Sequence, residues 1–102
     1  MEFDWDDHNR AHCQKHGVSI AEIQELFEGQ DGFVLPDWKH SVREQRFIAI
    51  GAGAKGRKIF VAFTVRMPGS QLLIRPIKAR PMHKKEISAY EKAAEKTAAP
   101  EK

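Results

Sequence analysis

The chain has 102 residues, 41% of them hydrophobic and 30% charged, with a net charge of +3 and one cysteine. That length suits one domain with a modest core, and the apolar share excludes disorder of the whole chain. No apolar run approaches the ~18 residues of a membrane span, and Cys13 alone excludes an internal disulfide.

The acidic opening, Met1 to Asp7, offers no apolar leader core, so a cytoplasmic protein is expected. Glu2 to Trp5 alternates with Phe3 and Trp5 on one side and reads as a strand. Asp6 and Asp7 stand where helix N-caps belong, ahead of a helix through about His16. Gly17 suits the left-handed position after a helix, and Val18 supplies the apolar contact that follows it. Ser19 and Glu22 form a capping box for a second helix, whose Ile20, Ile23, Leu26 and Phe27 make one apolar stripe.

From Phe33 the period changes to two. Phe33 to Leu35 is a short strand cut off by Pro36, Arg46 to Ile50 is a second, and GAGAKG (residues 51–56) is a hairpin connection. Ile59 to Arg66 alternates cleanly, Met67 to Ser70 turns, and Gln71 to Arg80 forms a last strand. Pro76 within it cannot donate a ladder hydrogen bond, so an edge, a bulge or a kink is expected there. Met82 onward favours a helix with Ile87 and Tyr90 on its inner side. The expected domain spans residues 1–92, and residues 93–102 read as a flexible tail. The class is α+β: an N-terminal strand and helix pair, an antiparallel sheet of three or four further strands, and a C-terminal helix.

The modest net charge conceals a division. Residues 1–44 hold four Lys or Arg against ten Asp or Glu, a net of −6, whereas residues 45–91 hold ten against two, a net of +8. A basic half suits a polyanion, most often nucleic acid. It also suits the acidic half of its own fold.

His8, His12 and His16 recur every fourth residue, with Cys13 beside them. Two such histidines can share a metal, but the first and third lie ~12 Å apart along a helix. With no second Cys/His cluster in the sequence, neither a metal nor another cofactor is called for. The arginines are more informative: Arg46 opens one strand, Arg66 closes the next, and Arg75, Lys78 and Arg80 occupy the third. Guanidiniums gathered on one sheet surface suit a phosphate and the added charge of an RNA-cleavage transition state. Such cleavage also needs a base for the 2′-hydroxyl and an acid for the leaving oxygen. His16, Glu44, Lys15, Lys84, Lys85 and Tyr90 are the titratable candidates.

Several stretches together resemble the BrnT family of bacterial toxins: FDWDDHNRAHCQKHGVSIAEIQELF (3–27), EQRFIAIG (44–51), TVR (64–66), IRPIKAR (74–80) and KKEISAYE (84–91). The resemblance implies a RelE-like ribonuclease toxin of a type II toxin–antitoxin pair, one that cuts RNA without a metal and so stops translation and growth. It implies a BrnA-type antitoxin as partner, whose ribbon-helix-helix dimer binds operator DNA, so that this chain meets DNA only through the antitoxin. No membrane contact is expected. Lys15, His16, Glu44, Arg46, Arg66, Arg80 and Tyr90 match the family's polar positions. Arg46, Arg66 and Arg80 are then expected to bind phosphate and transition-state charge, His16 or Glu44 to serve as base, and Tyr90 or Lys15 as acid or RNA contact. Arg75, Lys78, Lys84 and Lys85 are expected along the RNA.

Pro76, Lys78, Pro81 and Met82 depart from the family pattern around Arg80. They leave a second reading open, a catalytically weak module that binds nucleic acid or antitoxin on the same scaffold. A metal-binding regulator built on the histidine helix is the third.

Overall fold

The computed structural model describes residues 1–29, 32–37, 39, 44–53 and 55–98, with residues 93–98 described by backbone alone. In chain order the elements are β1 (Glu2–Phe3), α1 (Asp7–Gln14), α2 (Ile20–Glu28), β2 (Phe33–Pro36), β3 (Phe47–Ala52), β4 (Lys58–Arg66), β5 (Leu73–Pro81) and α3 (Lys84–Ala98).

Local chemistry sets the helix ends. Asp6 caps α1 by accepting from the Asn9 backbone N–H at 2.9 Å, while Asn9 Oδ1 accepts from Asp6 N–H at 2.7 Å. Ser19 and Glu22 make the same reciprocal pair for α2, at 3.1 and 3.0 Å. Gly17 turns the chain between the helices at φ +85°, where an L side chain is strained.

The sheet has the strand order β1-β5-β4-β3-β2. Its inner pairings are antiparallel, but Glu2 and Phe3 pair with Leu73 and Ile74 in parallel. The antiparallel sheet of three or four strands is therefore corrected to a five-stranded mixed sheet. The opening strand joins it because α1 and α2 carry the chain across one face before it returns through the hairpins. That reversal leaves β1 and β5 running the same way.

Ala49, Ile59, Val61, Phe63, Ile74 and Ala79 face the helix pair and bury Cys13, Val18, Ile23 and Leu26. Phe27 lies edge-on to Phe63 at 4.9 Å and to Phe3 at 5.7 Å, closing the core towards β1. Each buried Ile, Val or Leu contributes roughly 1.5–3 kcal/mol. This core holds α1 and α2 rigidly to one side and frees the other for α3 and the polar residues.

Pro76 sits at a bulge. Ala62 pairs with Lys78 and Phe63 with Pro76, leaving Ile77 without a partner. A proline is tolerated on an interior strand here because the ladder is already broken. Asn9 Nδ2 donates to the Pro76 carbonyl at 2.8 Å and to that of Asp4 at 3.0 Å, so one buried amide ties α1 to the bulge and to the end of β1. At the chain's end α3 continues by backbone to Ala98, into the segment read as a tail; residues 99–102 lie outside the described residues. Among the described residues no helix is long and apolar enough to cross a membrane.

Candidate functional site

The face opposite α1 and α2 carries the polar candidates. Register lays them out in rows: Phe33, Ile50, Phe60 and Arg80; then Leu35, Ile48, Ala62 and Lys78; then Thr64 beside Arg75; then Arg66 beside Leu73. Continuing the β3–β4 register outward sets Arg46 next to Thr64 and Glu44 next to Arg66. The first two rows are apolar except at β5, and α3 packs over the first of them, with Tyr90 against Phe33 and Glu86 on Arg80. Of the last two, the third holds a buried Thr64 and a half-buried Arg75, and the fourth carries the exposed Arg66.

At the open end, Glu44 and Arg66 are each about half exposed and approach to 4.0 Å as an ion pair. They line a concavity of about 420 Å³ with Asp4, Val65, Met67, Pro68 and Leu73. Arg46 is half-buried beside the buried Thr64. Arg75 is turned to the β1–α1 junction, donating to Asp6 Oδ2 at 2.7 Å and standing 3.6 Å from an Asp4 carboxylate oxygen. Asp6 titrates below the usual range, chiefly through its capping bond from Asn9 and then through Arg75.

At the α3 end, Arg80 makes a fork-to-fork pair with Glu86, at 2.8 Å on each arm, and lies 4.2 Å over the Phe60 ring. That pairing, with the His83 N–H at 2.8 Å from Glu86 Oε1, holds the Glu86 carboxyl down at about 2. Tyr90 is buried on the inner side of α3, edge-on to Phe33 at 5.4 Å with Lys58 over its ring. Six residues of β4 separate the Arg80 and Arg66 rows, ~20 Å at 3.3 Å per residue.

Lys15 and His16 stand elsewhere. They follow α1, whose Cys13 is buried on the helix-pair side, and both are exposed. The seven matching polar residues thus fall into three groups: Lys15 and His16 on the helix side; Glu44, Arg46 and Arg66 at the open end; Arg80 and Tyr90 beneath α3. Lys78, Lys84 and Lys85 are exposed between and beyond the last two groups.

One ion pair was not read from the sequence at all. Arg57 donates to Glu22 Oε2 at 2.7 Å, to Glu22 Oε1 at 2.8 Å and to the Gly17 carbonyl at 2.6 Å. Glu22 is 1% exposed, and Arg57 with the Ser19 N–H holds its carboxyl at about 2 against the cost of burial. The hairpin before β4 is thereby locked onto the turn that carries Lys15 and His16. Gly53 lets it approach, since a Cβ there would lie 2.7 Å from the Glu22 carbonyl oxygen. The only sequence signal for this pair was the excess of acids before residue 45 and of bases after it.

Cys13 is fully buried, and burial pushes its thiol up to about 11, which removes it as a nucleophile. His8 and His12 ring centres are 6.1 Å apart, and among the described residues no three His, Cys, Asp or Glu converge as a metal site.

The family model for BrnT, the ribonuclease toxin of a type II toxin–antitoxin system, matches residues 5–86. The chain belongs to the BrnT family. No curated protein matches it. The BrnT match spans both helices of the pair, the sheet from β2 to β5 and the start of α3. It therefore includes Lys15, His16, Glu44, Arg46, Arg66 and Arg80 and ends before Tyr90. Membership makes this chain a toxin of a ribonuclease family with an antitoxin as partner.

Proposed function

We propose that this chain is a metal-independent endoribonuclease, RelE-like in fold, that cuts RNA on the open end of its sheet and so stops translation in the bacterial cytoplasm. Its partner is a BrnA-type antitoxin, which also makes the operator DNA contacts. The observation that carries the reading is the Glu44–Arg66 pair in an open concavity beside Arg46, at the end of the sheet that α3 leaves uncovered.

The chemistry follows from the donor set. The Glu44 carboxylate takes the proton of a 2′-hydroxyl, and that oxygen forms a bond to the adjacent phosphorus. The bond from phosphorus to the 5′-oxygen breaks, and in this half-exposed site water supplies the proton to the leaving oxygen. Arg46 and Arg66 bind the non-bridging oxygens, whose charge grows as the new bond forms. Lys78, Arg80, Lys84 and Lys85 track the flanking phosphates along β5 and the first turn of α3. Arg75 orders the β1–α1 junction beside them. Lys15 and His16 contact RNA that wraps past the hairpin end of the sheet, and Tyr90 seats α3.

The test is induced expression in bacteria with and without the product of the adjacent antitoxin gene, paired with cleavage of RNA by purified toxin in EDTA. Growth arrest relieved by the antitoxin, with cleavage retained in EDTA, supports the reading. Unaffected growth and intact RNA favour the second reading, a module that binds without cutting, to which the departures at Pro76, Lys78, Pro81 and Met82 lend weight.

A further inference from the structure

Beneath α3 lies a groove that the cleavage chemistry does not use. It encloses about 310 Å³ and is lined by Phe33, Leu35, Ile48, Ile50, Phe60, Met82, Glu86, Ala89 and Tyr90. Its apolar surface reaches the edge strand β2, where Leu35 is 49% exposed. An apolar trough running to a sheet edge on a chain of this size marks an interaction site. Lys78, at the β5 end of the Leu35 row, and Lys84 and Lys85, in the first turn of α3, are exposed and, among the described residues, make no ion pair. By contrast Lys58 and Arg80 at the same rim already meet Glu91 and Glu86.

RNA is a poor occupant. A base needs an open ring face to stack on and polar atoms to read its edges. Here Arg80 covers Phe60, Phe33 and Tyr90 pack edge-to-face against each other, and the walls are almost wholly apolar. The groove suits aliphatic anchors from a protein segment, and the three exposed lysines suit carboxylates flanking those anchors.

We infer that this groove seats a segment of the antitoxin, with apolar side chains entering between α3 and β2 and flanking Asp or Glu residues meeting Lys78, Lys84 and Lys85. Inhibition then follows without any contact to Glu44 or Arg66. The antitoxin takes the lysines that track RNA, which is the one clause of the inference resting on the proposed cleavage reading.

The test uses the whole toxin, the product of the adjacent antitoxin gene, and two variants at exposed groove positions, Leu35→Glu and Ala89→Glu. Both lie away from Glu44, Arg46 and Arg66, so RNA cleavage by the free toxin should stay within about twofold of wild type. Affinity for the antitoxin should fall by at least about thirtyfold, and antitoxin should no longer silence cleavage. Antitoxin binding unchanged in both variants overturns the inference and leaves the cleavage reading intact. Loss of cleavage with the thermal midpoint retained also overturns it, since the groove would then belong to the RNA. A change only in self-association of the toxin assigns the groove to a second copy and overturns it too. If Leu35→Glu fails to fold, Ala89→Glu alone, on the outer rim of α3, gives the same three outcomes.

Discussion

At Glu22 one carboxylate closes the capping box of α2 and also takes two donors from Arg57. Removing Arg57 would leave that buried charge with the cap and a long 4.0 Å approach of Lys55, and a buried carboxylate stripped of its main partner is destabilising. Arg57→Ala should therefore lower the thermal midpoint by about 5–10 °C, while Arg57→Lys, which lacks the fork, should recover only part of it. Scanning calorimetry of the two variants checks this. Arg66 is the opposite case: it is half exposed and its pair with Glu44 is long, so its loss costs the fold little. The capping half of Glu22's role was legible because a box needs only the spacing of Ser19 and Glu22. The ion pair spans 35 residues and depends on the hairpin folding back over α2, which no local pattern encodes.

Among the elements, the bulge in β5 shows how far a single residue can be read. Pro76 announced an edge, a bulge or a kink, and a bulge is what the register contains. That the break is held by Asn9, from α1, was hidden, since nothing in the sequence distinguishes this asparagine from an ordinary third residue of a capping box. Asn9→Ala removes the cap partner and leaves the Pro76 carbonyl without its donor, a loss of about 2 kcal/mol. The urea midpoint of Asn9→Ala should fall accordingly with an unchanged slope; a midpoint equal to wild type would contradict the role. The helix ends and strand sites were legible from caps, glycines and alternation. The parallel pairing of β1 with β5 was not, because alternation gives a strand its faces and not its neighbour. The same limit governs the site. Matching positions named seven residues, but only the three-dimensional register separates Glu44, Arg46 and Arg66 from Arg80 and Tyr90, and both from Lys15 and His16.

For the whole molecule, the division between an acidic first half and a basic second half resolves into internal pairs and a surplus. Glu22 with Arg57, Asp4 and Asp6 with Arg75, and Glu44 with Arg66 join the halves, whereas Lys78, Lys84 and Lys85 remain exposed. Two consequences can be measured. Glu22 and Glu86 are both held at about 2, below the ordinary 4.5, so the native state resists their protonation. Their contribution to stability is complete above the ordinary value and is lost as the pH falls from about 4.5 towards 2. Urea midpoints should decline across that window, and Glu22→Gln should make the decline shallower. The surplus lysines should set the salt dependence of RNA binding. Lys78→Ala should reduce the slope of log affinity against log salt by about 0.7 for single-stranded RNA, and an unchanged slope would remove Lys78 from the RNA track.

The cleavage rate of purified Arg66→Ala on RNA, measured beside wild type with both thermal midpoints recorded, bears most directly on where the reaction occurs. Loss of a preorganised donor to the phosphate predicts a rate lower by about 10²–10³ with a midpoint essentially unmoved. A variant that is equally stable and cleaves at the wild-type rate would contradict the placement of the reaction at the Glu44–Arg66 end of the sheet.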